Sequence, residues 1–138
     1  MRLPWRRKPP PPVVLDPADP SLVVLVQAFE AARADSHVLA EAGEGGVDLT
    51  QPLLVRHHLV ALPDAAAVAR AAELLGQDGY ALQDLGDGAA RASRTQVLTA
   101  LSASQERSRM AGLAQRLGGD VAGWDALGPG PVSAAPAP

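Results

Sequence analysis

At 138 residues, with proline, alanine and glycine crowding both ends, the chain has room for one core of roughly 100 residues. It has no cysteine, which excludes disulfides, thiolate metal sites and cysteine nucleophiles and suits a reducing cytoplasm. Arg2, Arg6, Arg7 and Lys8 hold four of the twelve Lys/Arg, so residues 13–138 set eight basic side chains against fifteen acidic ones, a net −7; that excludes the contiguous basic face of a general nucleic-acid binder and favours a basic protein partner.

Residues 1–12 carry the charge of an export leader, but Asp16, Pro17, Asp19 and Pro20 then interrupt any hydrophobic segment, so export is not expected. The apolar run at residues 22–26 is far short of the about 20 residues needed to span a bilayer, and no membrane partner is expected. Residues 1–19 read as a disordered basic, proline-rich arm, the alternative being a weak anchor for anionic lipid or RNA, and residues 129–138 as a disordered Pro/Ala tail, with a single domain at residues 20–128 between them. Asp16, Asp19 and Ser21 offer helix-start chemistry, and Leu22, Leu25, Val26, Phe29 and Ala32 recur at helical spacing. This predicts a first helix ending near Glu41. A turn from Asp48 to Pro52 leads into a strand at residues 53–62. There Val55, His57, Leu59 and Ala61 share the core face, while Leu54, Arg56, His58, Val60 and Leu62 share the other.

Pro63 and Asp64 open a helix with Val68, Ala72 and Leu75 on its apolar side, closed by Gly76 and Gly79. Tyr80 and Leu82 then share one face of a second strand, and Gly86, Asp87 and Gly88 turn the chain. A third strand falls within residues 91–101, where Thr95, Val97, Thr99 and Leu101 form the less polar register. Ser102 or Ser104 caps the last helix, whose Met110, Leu113, Ala114 and Leu117 make a clear apolar stripe before Gly118 and Gly119 stop it. A short strand at residues 120–124 ends the ordered part. Helix followed by βαββαβ implies an α+β fold: a ferredoxin-like sandwich, a four-stranded antiparallel sheet with two helices on one face, preceded by an N-terminal helix.

Asp48, Leu49 and Pro52, then Val55, His57 and Leu59, then Gly79, Tyr80 and Leu82, and finally Gly118, Gly119, Gly123 and Trp124 fall in an order and spacing that resembles the family of the regulator of ribonuclease activity B. The resemblance covers about residues 38–126. It implies a non-catalytic inhibitor that binds ribonuclease E or its scaffold. Val121 and Ala122 stand where that family usually has Tyr-Asp before Gly-Trp, so a contact made by that acidic residue is missing here. The long acidic extensions of its best-known members are missing as well.

His57 and His58 are adjacent on a strand, point to opposite faces and cannot chelate one ion together. His57 reads as a packed core histidine. Arg56 and His58, on the uncovered face, are candidates for touching a partner; the alternative is a solvated face. Trp124 is a candidate partner anchor because a tryptophan buries a large area and keeps a polar N–H, and the alternative is a lid on a small core. No serine sits in a nucleophile elbow, no glycine motif cradles phosphate and no carboxylates pair for acid/base work, so neither an enzyme nor a cofactor or metal site is expected. Direct nucleic-acid binding is not expected either, because the first and third strands lack stacking aromatics. The competing reading is a ligand-sensing or self-associating sheet without a nuclease partner; the oligomeric state is not fixed by the sequence.

Overall fold

The computed structural model describes residues 13–130. Its elements are β1 (Leu22–Ala28), α1 (Asp35–Glu44), β2 (Leu53–Val60), α2 (Ala65–Gly76), β3 (Ala81–Gly86), β4 (Ala89–Gln96), α3 (Ala100–Arg116) and β5 (Asp120–Pro129). The strands form one sheet in the order β1-β5-β2-β4-β3, with every neighbouring pair antiparallel. From β2 onward the chain follows the expected β-α-β-β-α-β order. Among the described residues the fold is α+β with five strands and three helices, one strand more than the four strands and three helices read from the sequence.

The difference lies at the start, where the predicted first helix is a strand followed by a shorter helix. Residues 22–26 are apolar at every position, so a three- and four-residue stripe can be traced through them without being diagnostic. Three of the five are valines, whose branched Cβ favours extended backbone. β1 runs along β5 from Leu22 opposite Pro129 to Ala28 opposite Trp124, with a bulge between Val24 and Val26. Phe29, placed in the helical stripe by spacing, is 43% exposed. The extra strand also lengthens β5 beyond the expected end at residue 124: Trp124 to Gly128 are all buried. Residues 1–12 of the predicted arm and 131–138 of the tail lie outside the described residues. In the arm's remainder, the Leu15 backbone N–H donates to Thr95 Oγ1 at 2.8 Å.

All three helices cover one sheet face. Val38 and Leu39 of α1 and Ala103 of α3 pack with Val26, Val55, Trp124 and Ala126. Ala71 and Leu75 of α2 and Met110, Leu113 and Ala114 of α3 pack with Leu59, Tyr80, Ala90 and Ala92. Small alanines let helices and sheet approach closely, which suits a chain with so few aromatics.

Smaller corrections follow from the same packing. α2 starts at the Asp64 cap, which accepts from the Ala67 N–H at 2.8 Å, and buries Ala67, Ala71 and Leu75; Ala72 is exposed. β4 is Ala89–Gln96 and buries Ala90 and Ala92, while Val97 and Leu101 lie outside it at 46% and 67% exposure. Thr99, not Ser102 or Ser104, is the cap of α3, with Ser102 completing a reciprocal capping box. Ala61 leaves the core register because the chain turns there through φ 57°, and Leu62 is buried instead.

Candidate partner-binding site

The sheet face opposite the helices carries the polar residues of the β2 register. Arg56 lies opposite Asp125 of β5 and Ser93 of β4, and His58 lies opposite Gly123 and Arg91. Arg56 grips Asp125 with two bonds, Nε to Oδ1 at 2.8 Å and Nη2 to Oδ2 at 2.5 Å, the fork geometry in which charge-assisted bonds are strongest. His58 Nε2 lies 3.1 Å from the same Oδ1. Burial alone would raise the Asp125 carboxyl, but the bonds from Arg56 and His58 outweigh it and hold it below its ordinary value. The Arg56 guanidinium is held more firmly protonated, first by its bond to Asp125.

Beside this cluster the Phe29 ring meets the His58 ring edge-on, with centroids 5.1 Å apart. Gly123 makes that approach possible. At φ 144°, a Cβ there would sit 2.4 Å from the Ala28 carbonyl oxygen and 2.8 Å from Phe29 Cδ1. Arg56 and His58 are thus on the uncovered face, as the alternation predicts, but their polar ends are already engaged. Their side chains keep only 15% and 20% exposure, and Asp125 keeps 4%. Leu54 on this face is nonetheless 1% exposed, and the Leu15 segment is tied to Thr95, the register partner of Leu54.

Trp124 lies on the helix side and is 1% exposed, with its indole N–H donating to Asp35 Oδ1 at 3.2 Å. Arg107 of α3 donates to that same oxygen at 2.6 Å. Trp124 therefore cannot serve as an exposed anchor: the lengthened β5 carries its ring under α1 and α3. Val121 packs against the core and Ala122 is exposed, at the two positions where the resembling family has Tyr-Asp.

His57 is 2% exposed on the helix side, edge-on to Tyr80 with ring centroids 6.1 Å apart. Burial lowers its pKa to about 4, so it is neutral at physiological pH. Its neighbour Tyr80 donates its hydroxyl to Glu106, whose carboxylate also accepts from Arg94 and from the Gln96 amide. The Arg94 guanidinium lies 4.3 Å over the Tyr80 ring. Burial, then the Glu106 carboxylate, push the Tyr80 phenol upward. The signature residues thus divide by task. Val55, His57, Leu59 and Tyr80 are buried on the helix side, Gly79 and Gly118 supply turns at φ 83° and 89°, and Asp48 closes the turn before Pro52 by accepting from Thr50.

Sequence reasoning missed Asp125, Glu106 and Phe29. A buried acid was signalled on α3, where Glu106 interrupts the stripe Ala103, Met110, Leu113. Asp125 had no signal, because it depends on which strand lies beside β2. Among the described residues, no group of three His, Cys, Asp or Glu is arranged to hold a metal ion, and no helix is long and apolar enough to cross a membrane.

A search of curated proteins and one of solved structures return no match. The family model for the regulator of ribonuclease activity B matches residues 32–126, more than half of the chain and all of the elements from α1 to most of β5. With the signature residues placed in that core, the chain belongs to the family of the regulator of ribonuclease activity B.

Proposed function

We propose that the protein is a non-catalytic regulator that binds an endoribonuclease of the ribonuclease E type, or its scaffold, in the cytoplasm and changes the rate of RNA degradation. Membership of the ribonuclease-regulator family carries this reading. The acidic body supports it, since residues 13–138 carry eight basic and fifteen acidic side chains and suit a basic protein surface better than a phosphate backbone. The polar groups of the uncovered face support it as well. Arg56, His58 and Asp125 satisfy one another, a structural arrangement with no side chain left to act as nucleophile or base. On this reading the cluster sets the shape and charge of a docking face and does no chemistry. Residues 20–128 are its domain, with the flanking arm and tail outside the interaction core.

A binding titration of the purified chain against the endoribonuclease of the same organism tests it. Association driven by charge slows as salt rises. Absence of binding at low salt leaves the self-association or ligand-sensing reading ahead.

A further inference from the structure

β1 is the outer edge of the sheet and has no strand on its far side among the described residues. Its sequence, LVVLVQA, contains no charge and no proline, the residues that ordinarily guard an exposed edge. Among the described residues its one guard is the bulge between Val24 and Val26, and Val23 and Val24 remain 39% and 40% exposed. The opposite edge, β3, carries Asp84 and is paired by a tight hairpin to β4.

A groove lies between β1 and α1. Two depressions of ≈ 180 and ≈ 240 Å³ adjoin through shared walls at Gln27, Arg33 and Val38, and run from Phe29 and Glu30 at one end to Leu25 and Glu41 at the other. Charge marks this region out. Residues 13–48 hold Asp16, Asp19, Glu30, Asp35, Glu41, Glu44 and Asp48 against Arg33 alone, a net −6, whereas residues 49–138 hold eight acids and seven arginines, a net −1. Asp35 is buried and answered by Arg107 of α3, so with Arg33 and Glu41 paired off the uncompensated acids, among the described residues, of the segment that builds the free edge and its flanking helix are Asp16, Asp19, Glu30, Glu44 and Asp48. Arg33 is neutralised by its ion pair with Glu41, and Glu30 at the groove's end has no ion pair among the described residues.

We infer that β1 and the β1–α1 groove bind an extended, basic polypeptide segment by strand addition. The segment has apolar side chains at every second position and arginine or lysine between them. Backbone groups of β1 supply the ladder, the basic side chains enter the groove beside Gln27, Glu30 and Glu41, and the apolar ones fall on the opposite face of the added strand. A second copy of this chain fits less well, because pairing β1 with another β1 would bring two acidic segments together. This deepens the regulatory reading, on which it rests only for the claim that the segment belongs to a ribonuclease.

Hydrogen exchange on the full chain tests it, with an acetylated alternating valine–arginine peptide of about six residues, an ordinary strand length, as the probe. Excess peptide is expected to slow amide exchange across residues 22–28 by about tenfold and leave residues 81–86 unchanged. A valine–glutamate peptide should do nothing, and Glu30→Lys, at an exposed position, should weaken the valine–arginine peptide by about threefold. Three results overturn the inference: binding without slower exchange in β1, equal protection by the glutamate peptide, or β1 protected by self-association in concentration-dependent sedimentation. The ribonuclease separates the two proposals. Nuclease that binds without protecting β1 removes the groove and keeps the regulator; peptide that protects β1 with no nuclease binding removes the regulator and keeps the groove.

Discussion

Lowering the pH from about 7.5 to about 4.5 should destabilise this protein chiefly through His57. In the unfolded chain its pKa is the ordinary 6.5, and in the fold burial holds it at about 4, so between these values the unfolded state binds more protons than the folded one. Stability then rises with pH across that window and is lost as pH falls through it. Linkage over this range gives a loss of about 2.5 kcal/mol, a sizeable part of the 5 to 15 kcal/mol typical of a domain. Asp125, whose folded pKa is depressed, works at the other end. Its contribution is present above the unfolded value of 3.8 and fades below it, so it adds little loss at pH 4.5. Urea unfolding of wild type and His57→Gln at both pH values isolates the effect. The mutant starts less stable at neutral pH because the fit against Tyr80 is lost, but its stability should fall much less on acidification. A mutant as acid-sensitive as the wild type would refute the assignment of this slope to a buried neutral imidazole.

Trp124→Ala should cost about 4 kcal/mol in denaturant unfolding, because a 1% exposed ring is removed from the core, and Trp124→Phe only about 1 kcal/mol, chiefly the bond to Asp35. A Trp124→Ala protein of wild-type stability would return the side chain to the surface. Asp125→Asn should cost about 3 kcal/mol, since it leaves the Arg56 guanidinium partly buried without its counter-charge; a loss under about 0.5 kcal/mol would show the cluster to be a surface ion pair in effect. Trimming the chain to residues 20–128 should lower stability by about 1 kcal/mol, because it removes the Leu15–Thr95 bond and the Leu22–Pro129 end of the β1–β5 ladder. Unchanged thermal unfolding would mean that the segment before residue 20 merely lies on the sheet.

The parts of the fold that the sequence made legible are those with a strong local signal. The alternation at residues 53–62 placed Val55, His57 and Leu59 inward and Arg56 and His58 outward because from Val55 onward β2 is fully buried on the helix side alone, whereas Leu53 and Leu54 are both buried and show no period. The stripe Met110, Leu113, Ala114 of α3 is equally local. The run at residues 22–26 failed because uniform apolarity carries no period, and its conformation is decided by pairing with a strand about a hundred residues later. That one long-range pairing also set the fate of Trp124. A strand ending at residue 124 leaves the ring at a rim, whereas one continuing to Pro129 between β1 and β2 places it beneath α1 and α3. The polar cluster was half legible for the same reason: Arg56 and His58 follow from alternation, and Asp125 follows only from the strand order.

The most direct test of the regulatory account is the cleavage rate of the organism's own endoribonuclease on a defined RNA, followed as this protein is added. The account predicts that the protein alone leaves the RNA intact and that added protein changes the nuclease rate in a saturable way, more strongly at low salt than at high. A rate unaffected at protein concentrations well above that of the nuclease, or RNA cleaved by the protein by itself, would contradict it.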